Sequence, residues 1–353
     1  MEHIDVAVIG GGQSGLAAAH ALLRRGLRPV VLEASGQAAG SWPRYYDSLT
    51  LFSPARYSSL PGVPFPGADR DRYPHRDEVV AYLTAYADRL DADIRTGERV
   101  SSVRRAGSVF EVALEGGGRL GARAVVAASG TFGRPYRPAL PGLAEFTGQV
   151  LHAADYRSPA PFAGGRLVVV GAGNSAVQIA AELAETARVT LATRRLAKFA
   201  SQRILGRDLH FWTARTGLDI APLGRLLPHP PAQPVLDDGR YSAALASRQP
   251  DRRPLFTGTD GNKLIWPDGR REEADAIVLA TGYRPDLPYL ASLDGALNAD
   301  GSPRHREGLA ISVPGLAHVG LEWQRSLSSN SLRGVGRDAE RIARRLAAHL
   351  ARR

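Results

Sequence analysis

The stretch DVAVIGGGQSGLAAAHALLRRGLRPVVLE, residues 5–33, decides the fold. A short apolar run ends in three glycines, an alanine- and leucine-rich segment follows, and a second apolar run closes on Glu33. This order of strand, glycine turn, helix and strand is a βαβ unit of the kind that binds dinucleotides. It predicts an α/β fold with a nucleotide site at the glycine turn.

Each position of the turn has a physical task in such a site. Gly10 permits the tight turn, Gly12 lets the backbone approach a pyrophosphate, and Gly15 lets helix and strand pack closely. The helix N-terminus offers unpaired N–H groups to the phosphates. Glu33 can bind ribose hydroxyls and repels a 2′-phosphate, so a nucleotide with a free 2′-hydroxyl is predicted. The alternative is a turn that only packs a helix against a sheet. The residues assigned to this first site are Gly10, Gly12, Gln13, Ser14, Gly15 and Glu33.

The same pattern recurs at residues 166–195, RLVVVGAGNSAVQIAAELAETARVTLATRR. Alanine takes the third glycine position, and arginines follow the second strand where the first unit has an acid. Arginine there can pair bidentately with a 2′-phosphate, which predicts a preference for NADPH over NADH. The alternative for these arginines is a solvated strand end. The residues assigned to the second site are Gly171, Gly173, Asn174, Ser175, Arg194 and Arg195.

Two such units in one chain indicate an internal duplication and a flavin, FAD, that is reduced by NADPH. We predict two Rossmann-like dinucleotide-binding domains of the three-layer ββα type, with the NADPH domain inserted in the FAD domain. The boundaries are predicted at 1–155 for the first part of the FAD domain, 156–275 for the NADPH domain and 276–353 for the second part of the FAD domain.

Composition excludes several classes of function. The 353 residues include no cysteine, so disulfide chemistry, thiolate metal sites and a CxxC redox pair are excluded. The formal charge of +10 comes from scattered arginines, which favours a basic surface over a nucleic-acid site. No metal site is predicted. No signal segment or apolar run near the ~18 residues of a membrane span is evident, so a cytoplasmic protein is expected.

Three further segments accompany the two units. Residues 146–156, FTGQVLHAADY, match the pattern F-x-G-x-x-x-H-x-x-x-Y. Residues 40–42 read GSW, and residues 280–285 read ATGYRP, with a related ASG at 128–130. With the glycine turns, these segments make the chain resemble the flavin-containing monooxygenases, class B flavoprotein monooxygenases, over nearly its whole length. Tyr156, where Baeyer–Villiger enzymes carry Trp, points away from that branch.

The resemblance implies further roles. The ASG and ATGYRP segments mark the two crossings between domains, and His152 of the signature is expected to be structural rather than catalytic. No side chain is assigned a catalytic role. The residues that the resemblance places against FAD, beyond the first turn, are Gly40, Ser41, Trp42, Val100, Ser129 and Gly130.

Residues 47–62, 320–325 and 332–338 resemble bacterial flavoproteins loosely labelled as acting in potassium or metal-ion transport or in arsenic resistance. The first of these segments is also similar to plant auxin-forming monooxygenases. One departure concerns oxygen activation. Other family members place an asparagine near the flavin at about position 54, where this chain has Pro54. The role of that asparagine therefore does not transfer, and Ser53 or nearby backbone groups are the candidates to replace it.

The implied reaction is insertion of one oxygen from O2 into a small nucleophilic substrate through a flavin C4a-hydroperoxide. The alternative is an NADPH-driven flavin reductase or oxidase that serves a redox or transport partner. A third possibility is a redox sensor that binds FAD without catalytic turnover. Arg333 and a helix from about Gly336 are expected beside the flavin. Residues 203–253 are predicted to be irregular and to shape the substrate pocket. The oligomeric state is left open, with a homodimer as one candidate.

Overall fold

The computed structural model describes residues 1–227 and 233–352. Its helices are α1 (Gln13–Leu23), α2 (Arg76–Ala87), α3 (Asn174–Leu183), α4 (Leu209–Thr216), α5 (Arg240–Ala246) and α6 (Leu332–Leu350). Its strands are β1 (Glu2–Ile9), β2 (Pro29–Glu33), β3 (Asp93–Thr96), β4 (Val100–Ala106), β5 (Val109–Leu114), β6 (Arg119–Ala127), β7 (Arg134–Pro135), β8 (Gln149–His152), β9 (Arg166–Val170), β10 (Arg188–Thr193), β11 (Phe199–Ser201), β12 (Arg203–Ile204), β13 (Arg207–Asp208), β14 (Val235–Asp237), β15 (Asp251–Pro254), β16 (Gly258–Asp260), β17 (Lys263–Ile265), β18 (Arg271–Glu273), β19 (Ala276–Leu279), β20 (Tyr283–Arg284), β21 (His305–Arg306), β22 (Leu309–Ala310) and β23 (Leu316–His318).

The first sheet is built around β1, which pairs in parallel with β2 on one side and β6 on the other. Strands β3 and β23 extend it in parallel, giving the order β3-β2-β1-β6-β23. Alternate residues of a strand point to opposite faces. Val6 and Val8 therefore pack against α1, α2 and α6, whereas Ala7 and Ile9 pack against the antiparallel pair β4–β5. These layers confirm the predicted three-layer ββα arrangement.

The second sheet repeats this plan. Its order is β15-β10-β9-β19-β8, and all neighbours are parallel. Val169 of β9 faces the core formed with α3, whereas Val168 and Val170 face a core that contains Leu264 and Trp266 beside the antiparallel β16–β18. The fold class is therefore two Rossmann-like units. The second unit is inserted in the first, because β23 and α6 return to the first unit.

Strands β8 and β19 are hydrogen-bonded to each other in the second sheet. The predicted boundaries had placed both of them in the FAD domain, so their sheet membership corrects that assignment. Each strand is four residues long. A short apolar strand does not reveal its parallel partner when that partner is distant in sequence. We propose that the second domain runs from about residue 149 to about residue 279.

The two crossings between the domains form one ribbon. Strand β7 of the first crossing pairs in antiparallel fashion with β20 of the second. The Tyr136 backbone N–H donates to the Gly282 carbonyl at 2.9 Å, and the Thr281 hydroxyl donates to the Tyr136 carbonyl at 2.5 Å. The segment predicted to be a linker is thus tied to the ATGYRP segment that carries the chain back.

Two predictions about local structure were wrong. Helix α6 begins at Leu332, before the predicted start at Gly336. Gly334 and Gly336 lie inside the helix because it packs closely there: a Cβ at either position would lie 2.2 Å from Ser328 O or Pro61 Cγ, respectively. Residues 203–253 are not uniformly irregular, because short strands and the helices α4 and α5 occur among the described residues.

His318, the last residue of β23, is a buried polar residue with a measurable consequence. Its side chain is fully buried, and neither ring nitrogen has a hydrogen-bond partner among the described residues. Burial, with a contribution from the nearby His305, lowers the pKa of His318 from 6.5 to about 3. The folded protein therefore holds this ring neutral at a pH where the unfolded chain takes up a proton.

The first prediction concerns pH and stability. The favourable contribution of a neutral His318 is fully present above pH 6.5 and is lost as the pH falls toward about 3. The slope is at most ~1.4 kcal/mol per pH unit for one such proton. We expect His318→Gln to reduce the pH dependence of the urea-derived unfolding free energy between neutral pH and pH 5. His3→Gln at an exposed position is the control, and equal slopes in all three proteins would contradict the prediction.

Candidate functional site

The first glycine turn has the close approaches that its sequence predicts. Gly10 has φ +106°, and a Cβ there would lie 2.7 Å from the Ala128 carbonyl oxygen. A Cβ at Gly15 would lie 1.8 Å from the Gly10 carbonyl oxygen, so this glycine lets α1 pack on β1. Gly12 caps α1 and touches Gly40, where a Cβ would lie 2.8 Å from the Gly12 Cα. No side chain therefore separates the N-terminus of α1 from the loop that follows β2.

Glu33 ties this turn to the end of β2. One carboxylate oxygen accepts the Gly11 N–H at 2.6 Å, and the other accepts the backbone N–H and the hydroxyl of Ser35 at 2.8 and 2.7 Å. A carboxylate can accept about four hydrogen bonds, so acceptor capacity is left for a ligand. The assignment of Glu33 to ribose hydroxyls stays a prediction.

Gln13 connects three segments at the start of α1. Its amide nitrogen donates to the Asn330 carbonyl at 2.7 Å, and its amide oxygen accepts from the Trp42 indole at 3.2 Å. Ser41 and Tyr45 share a hydrogen bond between their hydroxyls at 2.8 Å. The GSW loop is thereby held against the N-termini of α1 and of the segment that leads into α6.

The loop after β2 also joins the two domains. Trp42 packs on the core of the first domain, Tyr46 and Leu49 belong to the core of the second, and Leu60 returns to the first. The Tyr46 hydroxyl donates to the amide oxygen of Gln178 in α3 at 2.5 Å. One loop therefore contributes to both hydrophobic cores and fixes the α3 side of the space between them.

The second glycine turn is more open than the first. A Cβ at Gly171 would lie 2.3 Å from the Ala280 carbonyl oxygen and 3.0 Å from the Ala176 methyl, which occupies the third glycine position. Gly173 caps α3 with φ −94°, and a Cβ there would meet nothing within 4 Å. The side-chain oxygen of Asn174 is buried and has no hydrogen-bond partner among the described residues. Open space in front of the N–H groups of a helix N-terminus fits a bound phosphate group. The Asn174 amide oxygen is an acceptor, so it can take a hydrogen bond from a ligand hydroxyl or amide group.

Arg194 and Arg195 follow β10 at the same end of the sheet. Both are exposed, and neither has an ion-pair partner among the described residues. Two free guanidinium groups beside the open turn fit the predicted 2′-phosphate contact. The contact itself stays a prediction.

Both turns open onto one cleft between the domains, with a volume of about 1870 Å³. This exceeds the ~300–1,000 Å³ typical of a site for one drug-sized ligand, so the cleft has room for more than one molecule. Gly15 lies outside the cleft wall, behind the turn, as its packing role requires. The predicted residues that line the cleft are Gly10, Gly12, Gln13, Ser14, Glu33, Gly40, Ser41, Trp42, Val100, Ser129, Gly130, Gly171, Gly173, Asn174, Ser175, Arg194 and Arg195.

His152 is structural in its geometry. Its Nδ1 accepts the Ala154 N–H at 3.0 Å, so Nε2 carries the proton and donates to the Gly282 carbonyl at 3.1 Å. Burial lowers the pKa of the ring, which favours this neutral form. The other signature residues pack: Phe146 and Tyr156 are buried in the two cores of the second domain. The motif thus fastens β8 to the second crossing.

A row of aromatic rings crosses the cleft, and sequence analysis missed most of it. Trp42, Tyr45, Phe132 and Tyr283 contact one another in order, edge to face, at centroid distances of 5.5, 6.3 and 5.3 Å. Phe132 is 49% exposed although it lines the cleft. Such a ring in a cleft offers an apolar wall to a ligand. The available signal was the aromatic residue just beyond each crossing glycine.

Arg333 does not offer the net positive charge expected of it. Its guanidinium binds both carboxylate oxygens of Asp219 at 3.0 Å, and both side chains are largely buried. Asp219 belongs to the inserted domain and lies 114 positions away in sequence. The arginine lines the cleft, but its charge is balanced by an acid that sequence analysis had not singled out.

The cleft wall on the substrate side also differs from expectation. Of the described residues in 203–253, Gln233 alone lines the cleft, so the described part of this region does not form the cleft wall that was expected of it. Residues 49–53 line it instead. Ser53 shares a hydrogen bond with the Ser58 hydroxyl at 2.9 Å, while Pro54 caps a 3₁₀ turn outside the wall. Ser53 rather than Pro54 therefore reaches the cleft.

Comparison with known proteins agrees with this site. A family model described as pyridine nucleotide-disulphide oxidoreductase matches residues 7–214. An uncharacterized CzcO-like oxidoreductase of Geobacillus kaustophilus is 32% identical over 347 residues, which are 96% of this chain and 97% of that protein. The indole-3-pyruvate monooxygenase YUCCA1 of Oryza sativa subsp. japonica is 31% identical over 80% of this chain and 77% of its own length.

Solved structures give the same result. A flavin-containing monooxygenase from Stenotrophomonas maltophilia superposes with a TM-score of 0.86 at 34% identity, covering 99% of this chain and all of the other. A bacillithiol disulfide reductase from Staphylococcus aureus has a TM-score of 0.76 at 19% identity, covering the whole of both chains, which is a likeness of fold.

Two dinucleotide turns on one cleft define a flavoprotein oxidoreductase, and the chain belongs to the pyridine nucleotide-disulphide oxidoreductase family, within it to the flavin-containing monooxygenases. The enzyme is an NADPH-dependent flavin monooxygenase that uses FAD and NADPH. The residues present fit both groups. The first turn is bare backbone beside a carboxylate. The second has open space before its N–H groups, an amide oxygen that can accept from a ligand hydroxyl or amide, and two arginines with no ion-pair partner among the described residues.

The second prediction tests the second turn. Gly173→Ala adds a methyl group that meets no protein atom within 4 Å, at a φ that alanine adopts freely, so the unfolding midpoint should not fall. We expect the KM for NADPH to rise about tenfold, as for loss of one hydrogen bond. Gly116→Ala, another open glycine, is the matched control. An unchanged KM in the Gly173 variant would show that NADPH does not approach this backbone.

Proposed function

We propose that the enzyme inserts one oxygen atom from O2 into a small nucleophilic substrate, an amine, a sulfide or an activated carbon such as that of a 2-oxo acid. The observation that carries the proposal is the single cleft onto which both dinucleotide turns open. Reductant and flavin then meet in one space with room left for a substrate. The similarity to an indole-3-pyruvate monooxygenase supports including 2-oxo acids.

Bound FAD, once reduced by NADPH, supplies the oxygen-activating chemistry. The chain supplies binding and orientation. The N-terminus of α1, with Gly12, Gln13 and Ser14, would bind the flavin nucleotide's pyrophosphate, and that of α3, with Gly173 and Asn174, would bind that of NADPH.

The aromatic row would exclude water from the reacting groups, which is the protein's main contribution in a reaction that bulk water would divert. Burial raises the pKa of Tyr45 to about 12, so its hydroxyl oxygen keeps its proton at physiological pH. The Tyr45 and Ser41 hydroxyls share a hydrogen bond of 2.8 Å at the cleft wall. Ser53 brings a second hydroxyl to the cleft wall.

The absence of cysteine from the sequence also supports the proposal. Flavoproteins of this wider family that reduce disulfides need a sulfur pair to receive electrons, and this chain has none. Electrons that reach the flavin must therefore leave to O2, to a substrate or to a separate partner.

The third prediction distinguishes between these electron acceptors. With the right substrate, we expect each NADPH consumed aerobically to yield one oxygenated product with little hydrogen peroxide. The measurement compares NADPH loss, peroxide and product by mass spectrometry across amines, sulfides and 2-oxo acids. Peroxide as the only product in every case would support the NADPH-dependent oxidase or reductase instead. A flavin that NADPH fails to bleach without oxygen would contradict both enzymes.

The fourth prediction concerns the choice of coenzyme. Arg194→Ala with Arg195→Ala should raise the KM for NADPH by about 10- to 100-fold, because a hydrogen bond to a charged group is worth ~1.5–3 kcal/mol. The KM for NADH, which lacks the 2′-phosphate, should change little. Arg188→Ala, an exposed arginine at the opposite end of β10, is the control. Equal losses with both coenzymes would argue against a 2′-phosphate contact.

A further inference from the structure

An exposed apolar surface lies on the inserted domain, outside the wall of the cleft described above. Strands β12 and β13 form a short hairpin, and α4 follows it. We define the hairpin patch as Arg203, Ile204, Leu205, Arg207, Phe211 and Trp212. The Trp212 indole donates to the Ile204 carbonyl at 2.9 Å, and the Arg207 guanidinium lies 5.4 Å from the Phe211 ring centroid. Hairpin and helix thus present one continuous surface.

Leu205 at the hairpin tip is disfavoured on two independent grounds. Its side chain is 86% exposed, and Ile204 beside it is 43% exposed. Its backbone has φ +50°, and Gly206 follows with φ +73°. This is the left-handed geometry of a tight hairpin turn, where glycine or asparagine is favoured. A leucine at this position is unfavourable because its apolar side chain is exposed to water and because its backbone is strained. Contact with an apolar partner would remove the first of these two penalties.

The base of the hairpin is held firmly on the first domain. The Gln202 amide donates to the Phe52 carbonyl at 3.0 Å and to Asp208 at 2.6 Å, and the Tyr73 hydroxyl donates to Asp208 at 2.6 Å. The His210 ring stacks on Phe52 at a centroid distance of 6.0 Å. The tip is therefore projected from a fixed base.

The charges around the tip have one sign. Arg203, Arg207 and Arg215 are exposed, while the acids of residues 196–220 are Asp208 and Asp219, which are largely buried and bound to partners within the protein. Burial alone would raise the pKa of Asp208, but hydrogen bonds from His210, Tyr73 and Gln202 lower it to about 2. Its charge is paired within the protein, so the exposed charged side chains of residues 196–220 are all positive.

We propose that the hairpin patch docks the enzyme on an anionic phospholipid surface. Ile204 and Leu205 enter the boundary between headgroups and acyl chains, and Arg203 and Arg207 contact the phosphates. Apolar residues flanked by arginine are the signature of interfacial binding. No helix within residues 1–227 and 233–352 has the length and apolar character to cross a bilayer, so the contact is peripheral. A second copy of the chain is a poorer occupant, because symmetric pairing would oppose arginine with arginine.

The fifth prediction is a vesicle sedimentation experiment on the FAD-loaded protein. We expect binding to vesicles that contain phosphatidylglycerol, weak binding to pure phosphatidylcholine vesicles, and release by high salt. Leu205→Asn suits the left-handed turn, so it should fold normally and lower the partition coefficient about tenfold or more. Arg203→Gln with Arg207→Gln should lower it about 30-fold on anionic vesicles, since each charge contributes about fivefold.

Ile311→Asn, at an exposed aliphatic residue of the first domain, is the matched control and should bind vesicles as the wild type does. NADPH oxidation in solution should be the same in all variants, which separates this proposal from the proposed function. Equal binding by wild type and Leu205→Asn, or no preference for anionic vesicles, would overturn it. A dimer in analytical ultracentrifugation that Leu205→Asn dissociates, without vesicle binding, would assign the patch to a second copy instead.

Discussion

The N-termini of α1 and α3 face one cleft. The main constraint on the structure is that no side chain can stand in front of either of them. A phosphate can reach unpaired N–H groups only where no Cβ intervenes. At the first turn, Gly12 and Gly40 lie so close that a side chain at Gly40 would strike the neighbouring backbone. At the second turn, Gly173 faces open space. The difference suits one turn that is closed around its nucleotide and another that admits and releases a coenzyme.

The cleft keeps its shape because several segments cross between the domains. The loop after β2 places Tyr46 and Leu49 in the core of the second domain. The crossings pair as β7 and β20, and His152 is bonded to the second of them. On the far side, Asp219 of the inserted domain pairs with Arg333 at the start of α6. Burial strengthens such a pair only when both charges are satisfied, as they are here. The aromatic row therefore spans a gap whose two sides are held in register.

The family to which the chain belongs is named for disulfide chemistry, yet the chain contains no cysteine. The fold brings reductant and flavin together without deciding where the electrons go next, which is a general property of folds shared by many reactions. That decision belongs to the cleft wall. Here that wall combines aromatic rings and residues 49–53 with hydroxyl and charged side chains.

The sequence by itself determined both glycine turns and the duplicated βαβ units, and seventeen of the eighteen residues predicted to bind a cofactor line the cleft, with Gly15 packed behind its turn. These features are local: a close approach demands glycine at a fixed position, and an unbroken apolar run indicates a strand that is covered on both faces. Only the tertiary structure decided that β8 and β19 belong to the second sheet, that Asp219 neutralises Arg333, and that the rings of Phe132 and Tyr283 are in contact. Parallel strand pairs, ion pairs and ring contacts join residues that are far apart in the chain. The sequence around one partner therefore does not identify the other.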